Sequence, residues 1–430
     1  MRLGGRLAAA IEVLQDIEDR NRPAADSMRD WGLSHRFAGS GDRAAIGNLV
    51  YDALRRKHAA AWLFDAETPW ALVFGSYLLE NGLSAEALDA SLAGDNFAPP
   101  PLDESERRML SARSSLPLPD EARANVPDWC LPLVKQSFGD GWVEECAELC
   151  ARPPLDLRVN TLKARREKVL ESLSRHEAQA TRVAPHGIRI PAISADGRHP
   201  NVQNSLAFQE GWFEVQDEGS QIVAELAGAE AGMQVLDFCA GAGGKTLACS
   251  ARMENQGQVF AFDADRQRLE PIHDRLKRAG SRNVQVVGDP SKLASLEGQL
   301  DLVIVDAPCT GSGTWRRRPD AKWRLSMHQL ETRMAEQQAI LANAARYVKD
   351  GGRLAYITCS IFEEENGRQV QDFLSRSSNF QRMDHHAVWQ DRFSVPAGAA
   401  RIDPAGGITL SPARTGTDGF FFAMLEKSGN

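Results

Sequence analysis

A glycine-rich loop, "CAGAGGKT" at 239–246, directly follows the apolar run "MQVLDF" and offers the first candidate chemistry. Its Gly-Gly-Lys-Thr ending is typical of loops that cradle the phosphates of ATP or GTP. Such a loop also requires a glycine at position 239, where this chain has Cys239, and a β-carbon there would crowd the backbone around a phosphate. A dinucleotide-binding loop fits no better, because its third glycine would fall on Thr246.

A nucleoside cofactor without phosphates fits the loop better, since it needs glycines for close approach and an acid after the second strand for the ribose hydroxyls. Asp263 lies about 20 residues beyond the glycines, and a carboxylate, which only accepts, bonds two adjacent hydroxyls well. Asp289 and Asp306 follow the next two predicted strands. S-adenosylmethionine is such a cofactor. Two alternatives stay open: a helix-capping aspartate in an ordinary turn, and a nucleoside triphosphatase whose metal-binding strand is imitated by "LVIVD".

Two cysteines also follow predicted strands, Cys309 in "DAPCTGSG" and Cys359 in "AYITCSIF". Methylation of cytosine at carbon 5 would use such a pair. A thiolate adding to carbon 6 makes carbon 5 enamine-like, so that it can accept a methyl group, and a base then removes the carbon-5 proton to let the thiolate leave. Cysteines more often simply pack in a core, as we expect for Cys146, Cys150 and Cys249 within helical patterns.

The elements that must position these residues begin at about residue 213, where apolar strands alternate with helices: "QVLDF", "VFAFD", "NVQVV", "LDLVIVD" and "RLAYITC". Such strands predict an α/β fold with a parallel sheet covered on both faces. Ligands of these sheets bind at the carboxyl ends of the strands, which is where the loop, the acids and the cysteines lie. The final segment, "GFFFAMLEK", predicts an antiparallel strand at the edge.

The rest of the chain predicts two further domains. Residues 1–95 carry apolar residues at helical spacing, as in "RLAAAIEVLQDI", and predict an all-helical domain. The proline-rich "NFAPPPLDESE" suggests a boundary. Over 96–212, "LDLRVNTLK" and "ATRVAPHGIRI" predict strands around a helix, so we expect a linker and a small α+β module before the sheet domain at 213–430.

Composition limits the class of protein. The net charge of −8 argues against coating nucleic acid through bulk charge, although 311–324 holds five basic residues against one acid. Seven cysteines without a CxxC pair fit a reducing cytoplasm and argue against a disulfide framework or structural zinc. The chain has no apolar run of membrane-spanning length, and its N-terminus predicts an amphipathic helix in place of a secretion signal. We therefore expect a cytoplasmic monomer with no membrane partner.

Several motifs occur in the order found in the RsmB/Sun-type (Fmu/nucleolar-protein family) RNA cytosine-5 methyltransferases: "LRVNTLK", "FEVQDEGSQIVAELAG", "VLDFCAGAGGKT", "DAPCTGSGTWRRRPDAKW" and "ITCSIFEEEN". The chain resembles this family from residue 150 to its end. The resemblance implies a Rossmann-like class I methyltransferase domain in which Cys359 is the nucleophile and Cys309 assists product release. It implies that S-adenosylmethionine is held by Cys239, Ala240, Gly241, Ala242, Gly243, Gly244, Lys245, Asp263, Asp289 and Asp306, and it allows Asp306 to face the cytosine ring.

One departure from the family lies in the loop, where Gly241-Ala242 replaces the usual Ala-Pro. We expect a more flexible loop and weaker cofactor binding, although no ligand side chain is lost. Cys239 itself we expect to pack.

The N-terminal segment "HRFAGSGDRAAIGNLVYDALRR" resembles the NusB-like RNA-binding domain of the ribosomal RNA members. This favours small-subunit (16S) ribosomal RNA as substrate, with transfer RNA as the alternative, and phosphate contacts from Arg55, Arg56 and Lys57. Two tryptophans near the Pro-Cys loop, Trp315 and Trp323, would either stack on bases or pack. Substrate backbone is also expected to pass the cations of that segment: Arg316, Arg317, Arg318, Lys322 and Arg324.

Overall fold

The computed structural model describes residues 1–193, 197–403 and 406–429, and it divides into two compact units. The first, the helical unit, consists of Met1–Arg152, the described residues of Ile193–Arg198, and Trp315–Ser326. The second, the sheet unit, consists of Pro153–Ala192, His199–Thr314 and Met327–Asn430. No helix in the described ranges is long and apolar enough to cross a bilayer.

Helices of the helical unit form because apolar side chains recur every three or four residues and bury one stripe of each helix. Leu7, Leu14 and Ile17 are such a stripe and lie in the core of this unit. The α-helices span Leu3–Arg20, Ala24–Ser34, Ser40–Arg55, Lys57–Phe64, Pro69–Asn81, Ala85–Leu92, Glu104–Ser114, Asp120–Ala124, Leu131–Phe138, Trp142–Glu148 and Pro319–Arg324.

The helical unit continues beyond the boundary that we predicted at residue 96. Asp103 and Glu106 form a capping box that starts the helix Glu104–Ser114, and Leu102 and Leu110 belong to the same core cluster as Leu7. The prolines therefore separate two helices of one unit, because proline ends a helix without ending the domain that contains it.

The sheet unit begins with a small antiparallel sheet, which agrees with the predicted α+β module. Its strands are β1 (Leu155–Val159), β2 (Gln179–Ala180), β3 (Gly187–Ile190) and β4 (Phe213–Val215), in the order β2-β3-β1-β4. The helices Arg166–Ser172 and Leu206–Gln209 accompany it.

The main sheet carries the site. Its strands are β5 (Gln234–Asp237), β6 (Gln258–Phe262), β7 (Val284–Val287), β8 (Leu300–Asp306), β9 (Val348–Thr358), β10 (Phe380–Arg382), β11 (Arg401–Asp403), β12 (Gly407–Leu410) and β13 (Phe420–Lys427). The accompanying helices are Glu218–Ala227, Gly244–Arg252, Arg266–Leu269, Ile272–Ala279, Met327–Ala345, Gly367–Arg376, His385–Arg392 and Pro412–Thr415.

The strand order of the main sheet is β11-β12-β13-β9-β8-β5-β6-β7, with β10 paired to β13. The five strands β5 to β9 pair with one another in parallel. Alternate residues of β8 enter different cores, Ile304 on one face and Val305 on the other, so the sheet is buried on both faces as predicted. The carboxyl ends of these strands consequently meet at one edge.

Strand β13 is antiparallel, as predicted, but it does not lie at the edge. It pairs with β9 on one side and with β12 on the other. The residues Phe420 to Leu425 are buried, as an interior strand requires. The short strands β11 and β12, which we did not predict, extend the sheet beyond β13.

Candidate active site

The loop after β5 adopts a conformation that glycine favours. Gly241 has φ 51° and Gly243 has φ 86°, both in the left-handed region. A β-carbon on Gly243 would lie 2.6 Å from Cγ1 of Ile272, in the helix Ile272–Ala279. Gly243 is therefore needed both for its backbone angle and for the close approach of the loop to this helix.

Hydrogen bonds hold the loop in the absence of the family's proline. The Gly241 amide donates to Asp263 Oδ2 at 2.8 Å. Arg275 Nη1 donates to the Ala242 carbonyl at 2.8 Å, and Arg158 Nη1 donates to the Gly244 carbonyl at 2.8 Å. These three bonds restrain the backbone around Gly241-Ala242, and the expected effect of this pair on cofactor affinity stays a prediction. Sequence reasoning assigned no role to either arginine, although Arg158 lies within the family motif "LRVNTLK".

The acids at the strand ends differ in their surroundings. Asp237 is fully buried, its Oδ2 accepts from Thr246 Oγ1 at 2.7 Å, and burial raises its pKa to about 7. Asp263 is 5% exposed, and its Oδ1 accepts from the Asp265 amide at 2.9 Å. Asp289 is exposed at the end of β7, where its carboxylate caps the following turn, and the hydrogen bond from Ser291 lowers its pKa.

Lys245 is not available for a phosphate. Its Nζ is buried and donates to Asp306 Oδ2 at 3.0 Å and to Ser220 Oγ at 2.8 Å. With Asp237 and Asp263 also at this edge, a polyphosphate would meet carboxylates in place of a free cation. The residues present instead fit S-adenosylmethionine, which carries a sulfonium cation, ribose hydroxyls and no phosphate. The buried Asp237 Oδ1, which has no hydrogen-bond partner among the described residues, points to the same conclusion.

Cys309 and Cys359 come together because they follow the adjacent parallel strands β8 and β9, in which Asp306 pairs with Ile357. Their sulfur atoms lie 3.3 Å apart, and both side chains are free thiols. The hydrogen bond with Cys359, together with burial, holds the pKa of Cys309 well above its usual value. A protonated Cys309 can therefore donate to the sulfur of Cys359.

The two cysteine loops are also connected through their backbones. The Gly313 amide donates to the Cys359 carbonyl at 2.9 Å. Ser312 Oγ accepts from the Ile361 amide at 2.9 Å and lies 3.0 Å from Ser360 Oγ. The distance between the two sulfurs is thus set by cross-links between the loops as well as by the strands.

The remaining cysteines of the sheet unit lie in packed surroundings. Cys249 belongs to the core on one face of the main sheet, where burial raises its pKa to about 12. Cys239 packs against the core on the opposite face, which contains Leu236 and Val305, and burial raises its pKa as well.

Trp315 and Trp323, considered for base stacking, pack within the helical unit. Trp315 is 1% exposed. Trp323 Nε1 donates to the Leu54 carbonyl at 2.8 Å, and the ring packs against the core of that unit. The buried Lys322 donates through Nζ to the Asn125 carbonyl at 2.5 Å. Of the cations that predicted an RNA path, Lys322 and Arg316 are buried, whereas Arg318 is exposed.

The three cations expected to contact RNA phosphate are paired with acids of the helical unit. Arg55 lies 3.3 Å from Asp52, and Lys57 lies 3.2 Å from Glu18. Arg56 is paired with Glu80. Each of the three cations therefore has an acidic partner within the unit, although Asp52 is also paired with Arg152. A count of basic residues along the sequence does not reveal this pairing.

The fold and the site together define a Rossmann-like, S-adenosylmethionine-dependent methyltransferase. Residues 224–426 match the family described as 16S rRNA methyltransferase RsmB/F, and residues 126–193 match the RsmF/B-like ferredoxin-like domain. The chain belongs to this family. The open alternative of a nucleoside triphosphatase is therefore wrong.

Two relatives show the extent of the similarity. A Synechocystis sp. protein named "Probable ribosomal RNA small subunit methyltransferase B" is 32% identical over 313 residues, which cover 71% of this chain and 67% of that protein. The ribosomal RNA small subunit methyltransferase B of Escherichia coli strain 536 is 32% identical over 310 residues, with the same coverage. The crystal structure of PH0851 matches 99% of each chain with a TM-score of 0.71 and 25% identity.

Proposed function

We propose that this protein transfers a methyl group from S-adenosylmethionine to carbon 5 of a cytosine in small-subunit ribosomal RNA. The observation that carries the proposal is the pair of cysteine sulfurs 3.3 Å apart, at the carboxyl ends of β8 and β9. The names of the relatives support ribosomal RNA as the substrate. Transfer RNA is the alternative substrate.

In this proposal Cys359 is the nucleophile. Its thiolate forms a bond to carbon 6 of cytosine, and the electron pair displaced from the carbon 5–carbon 6 double bond makes carbon 5 nucleophilic. When bound, S-adenosylmethionine supplies an electrophilic methyl group. The carbon-5 proton then passes to a base, the double bond re-forms, and the bond between carbon 6 and sulfur breaks, which frees Cys359.

Cys309 is the proposed base for the release step. Its sulfur lies beside Cys359, so it would be close to the carbon that neighbours the point of attack. The hydrogen bond with Cys359 is the largest cause of the raised pKa of Cys309. That bond stabilises the protonated form of Cys309, because the sulfur of Cys359 accepts its proton. Once Cys359 is bonded to carbon 6 it is no longer a thiolate and accepts this proton less well. In the proposal Cys309 then gives its own proton to solvent, and its thiolate accepts the carbon-5 proton.

The proposed cofactor residues are the loop and the acids at the strand ends. Each oxygen of Asp263 accepts one backbone amide, which leaves lone pairs for the ribose hydroxyls. Lys245 would orient Asp306 through their hydrogen bond. Asp289 stays in the proposed set as the acid after β7. We also retain the helical unit as a candidate NusB-like RNA-binding domain and the monomer as the expected state.

Two cysteine variants test the proposal. Cys359→Ala should abolish both methyl transfer and the covalent RNA adduct, whereas Cys309→Ala should form the adduct and fail to release it. Denaturing gels with radiolabelled RNA measure both. Methyl transfer by Cys359→Ala would refute the assignment of Cys359 as the nucleophile. Normal turnover by Cys309→Ala would refute the assignment of Cys309 as the base.

The RNA and the cofactor can be tested separately. Bisulfite sequencing of RNA from a deletion strain identifies the modified cytosine, and a site confined to transfer RNA would replace the proposed substrate. Calorimetry should show binding of S-adenosylmethionine and none of ATP or GTP.

A further inference from the structure

Two buried side chains hold the peptides on either side of Cys309. Glu365 is fully buried, and its Oε1 accepts from the Thr310 amide at 2.8 Å. Gln337, in the helix Met327–Ala345, is also fully buried, and its Nε2 donates to the Pro308 carbonyl at 2.9 Å. The same Nε2 lies 3.0 Å from Glu365 Oε1, so the two holding side chains are bonded to each other.

These contacts leave Cys309 little freedom. Thr310 Oγ1 adds a further hydrogen bond to Glu365 Oε2 at 2.5 Å. Because each peptide is planar, fixing the peptides before and after a residue fixes the direction of its Cα–Cβ bond. Only rotation about that bond then remains to place the sulfur, and it occurs between a few staggered positions.

Cys359 has a different support. Asn366 Nδ2 donates to the Ser360 carbonyl at 2.9 Å, and Asn366 Oδ1 accepts from Thr358 Oγ1 at 2.5 Å. Asn366 therefore holds the Cys359 loop, whereas its neighbour Glu365 holds Thr310 and also interacts with Ser360, next to Cys359. The bonds of Gln337 are to the Cys309 side, at Pro308 and Glu365, so a change at Gln337 disturbs Cys309 more directly than Cys359.

We propose that Glu365 and Gln337 are positioning residues for Cys309, and that they serve the release of the RNA adduct and not its formation. The inference rests on the proposed function. The supporting observations are the hydrogen bonds to both peptides that flank Cys309 and the separate support of Cys359.

Gln337→Met is the cleanest test. The buried Gln337 Oε1 has no hydrogen-bond partner in the described ranges, so methionine removes the two donated bonds and leaves the volume nearly unchanged. We expect adduct formation close to the wild-type rate and release slower by about tenfold to a hundredfold, as for a catalytic group displaced by a fraction of an ångström. The adduct should accumulate on denaturing gels.

Gln221→Met is the matched control. Gln221 is 2% exposed, its Oε1 is likewise without a partner in the described ranges, and its Nε2 donates to the Gln216 carbonyl at 2.9 Å. The substitution removes an equivalent buried hydrogen bond elsewhere, and we expect wild-type release. Equal slowing of release in both variants would overturn the inference, since any buried defect would then suffice.

Substitutions of Glu365 distinguish position from charge. Glu365→Ala removes the contacts with Thr310 and should trap the adduct. Glu365→Gln can accept from the Thr310 amide through its oxygen and donate to the hydroxyl through its nitrogen, so it should restore release. If Glu365→Gln traps the adduct as strongly as Glu365→Ala, the carboxylate acts chemically and the positioning role is wrong.

The Cys309→Ala variant distinguishes failure of the role proposed for Cys309 from failure of the role proposed for Gln337 and Glu365. If it does not trap an adduct, the release role proposed for Cys309 fails, and the inference fails with it. If it does trap one while Gln337→Met releases RNA like wild type, only the inference about Gln337 and Glu365 fails.

Discussion

Gly243→Ala tests how the loop is built. Alanine at φ 86° carries a conformational cost of about 1–2 kcal/mol. Its β-carbon would also lie 2.6 Å from Cγ1 of the fully buried Ile272. Such overpacking costs about 1–3 kcal/mol, so we expect the sheet unit to lose about 2–5 kcal/mol of unfolding free energy.

Cofactor affinity should fall together with stability. If cofactor binding must return the loop to its wild-type conformation at a cost of about 1.4 kcal/mol, the dissociation constant for S-adenosylmethionine rises about tenfold. Urea denaturation measures the loss of stability, and calorimetry measures the affinity.

Gly241→Ala is the matched control. Its φ of 51° is also in the left-handed region, but the nearest atom to its β-carbon, Arg268 Nη2, is 3.6 Å away. It should therefore cost only the conformational part, about 1–2 kcal/mol. The difference between the two alanine variants isolates the contact with Ile272.

A double-mutant cycle with Ile272→Ala completes the test. Removing the Ile272 side chain relieves the clash, so the double variant should be more stable than the sum of the single effects by about 1–3 kcal/mol. If the two glycine variants lose the same stability and the cycle is additive within about 0.5 kcal/mol, then steric contact with Ile272 does not shape the loop.

Two further predictions concern buried groups. Because Asp237 has a pKa of about 7 when folded and near 3.8 ordinarily, the unfolded chain releases this proton first, so stability should fall by about 4 kcal/mol as pH rises from about 4 to 7. Asp237→Asn should flatten that dependence in urea titrations, and an unchanged pH slope would contradict the assignment. Trp315→Ala should destabilise the helical unit by about 3–5 kcal/mol, whereas Trp315→Phe should retain most stability. A loss of RNA affinity in Trp315→Phe at unchanged stability would favour base stacking.

The sheet and the cysteine pair could be predicted because their signals are local. Apolar strands alternating with helices determine a parallel sheet, and such a sheet brings everything that follows its strands to one edge. Cys309 and Cys359 therefore meet although 50 residues separate them. Their separation of 3.3 Å was not predictable, because it depends on the hydrogen bonds between the two loops.

The arginine contacts that sequence reasoning missed depend on distant partners. Arg158 and Arg275 hold carbonyls of the loop from 86 and 33 residues away. An arginine bonded to a carbonyl has no local sequence signature. For the same reason, the basic residues 316–324 suggested a path for RNA, although Trp323 of this segment bonds to Leu54, 269 residues earlier in the chain.

The inclusion of Trp315–Ser326 in the helical unit has a consequence for synthesis on the ribosome. After Arg152 has been made, about 160 further residues must emerge before this segment is available, which takes about 10–30 s at typical elongation rates. Until then the positions that receive Trp315 and Trp323 are open, and the nascent helices expose apolar surface. The earliest part of the chain to emerge is thus among the last to be completed, and this interval is when chaperones would be needed most.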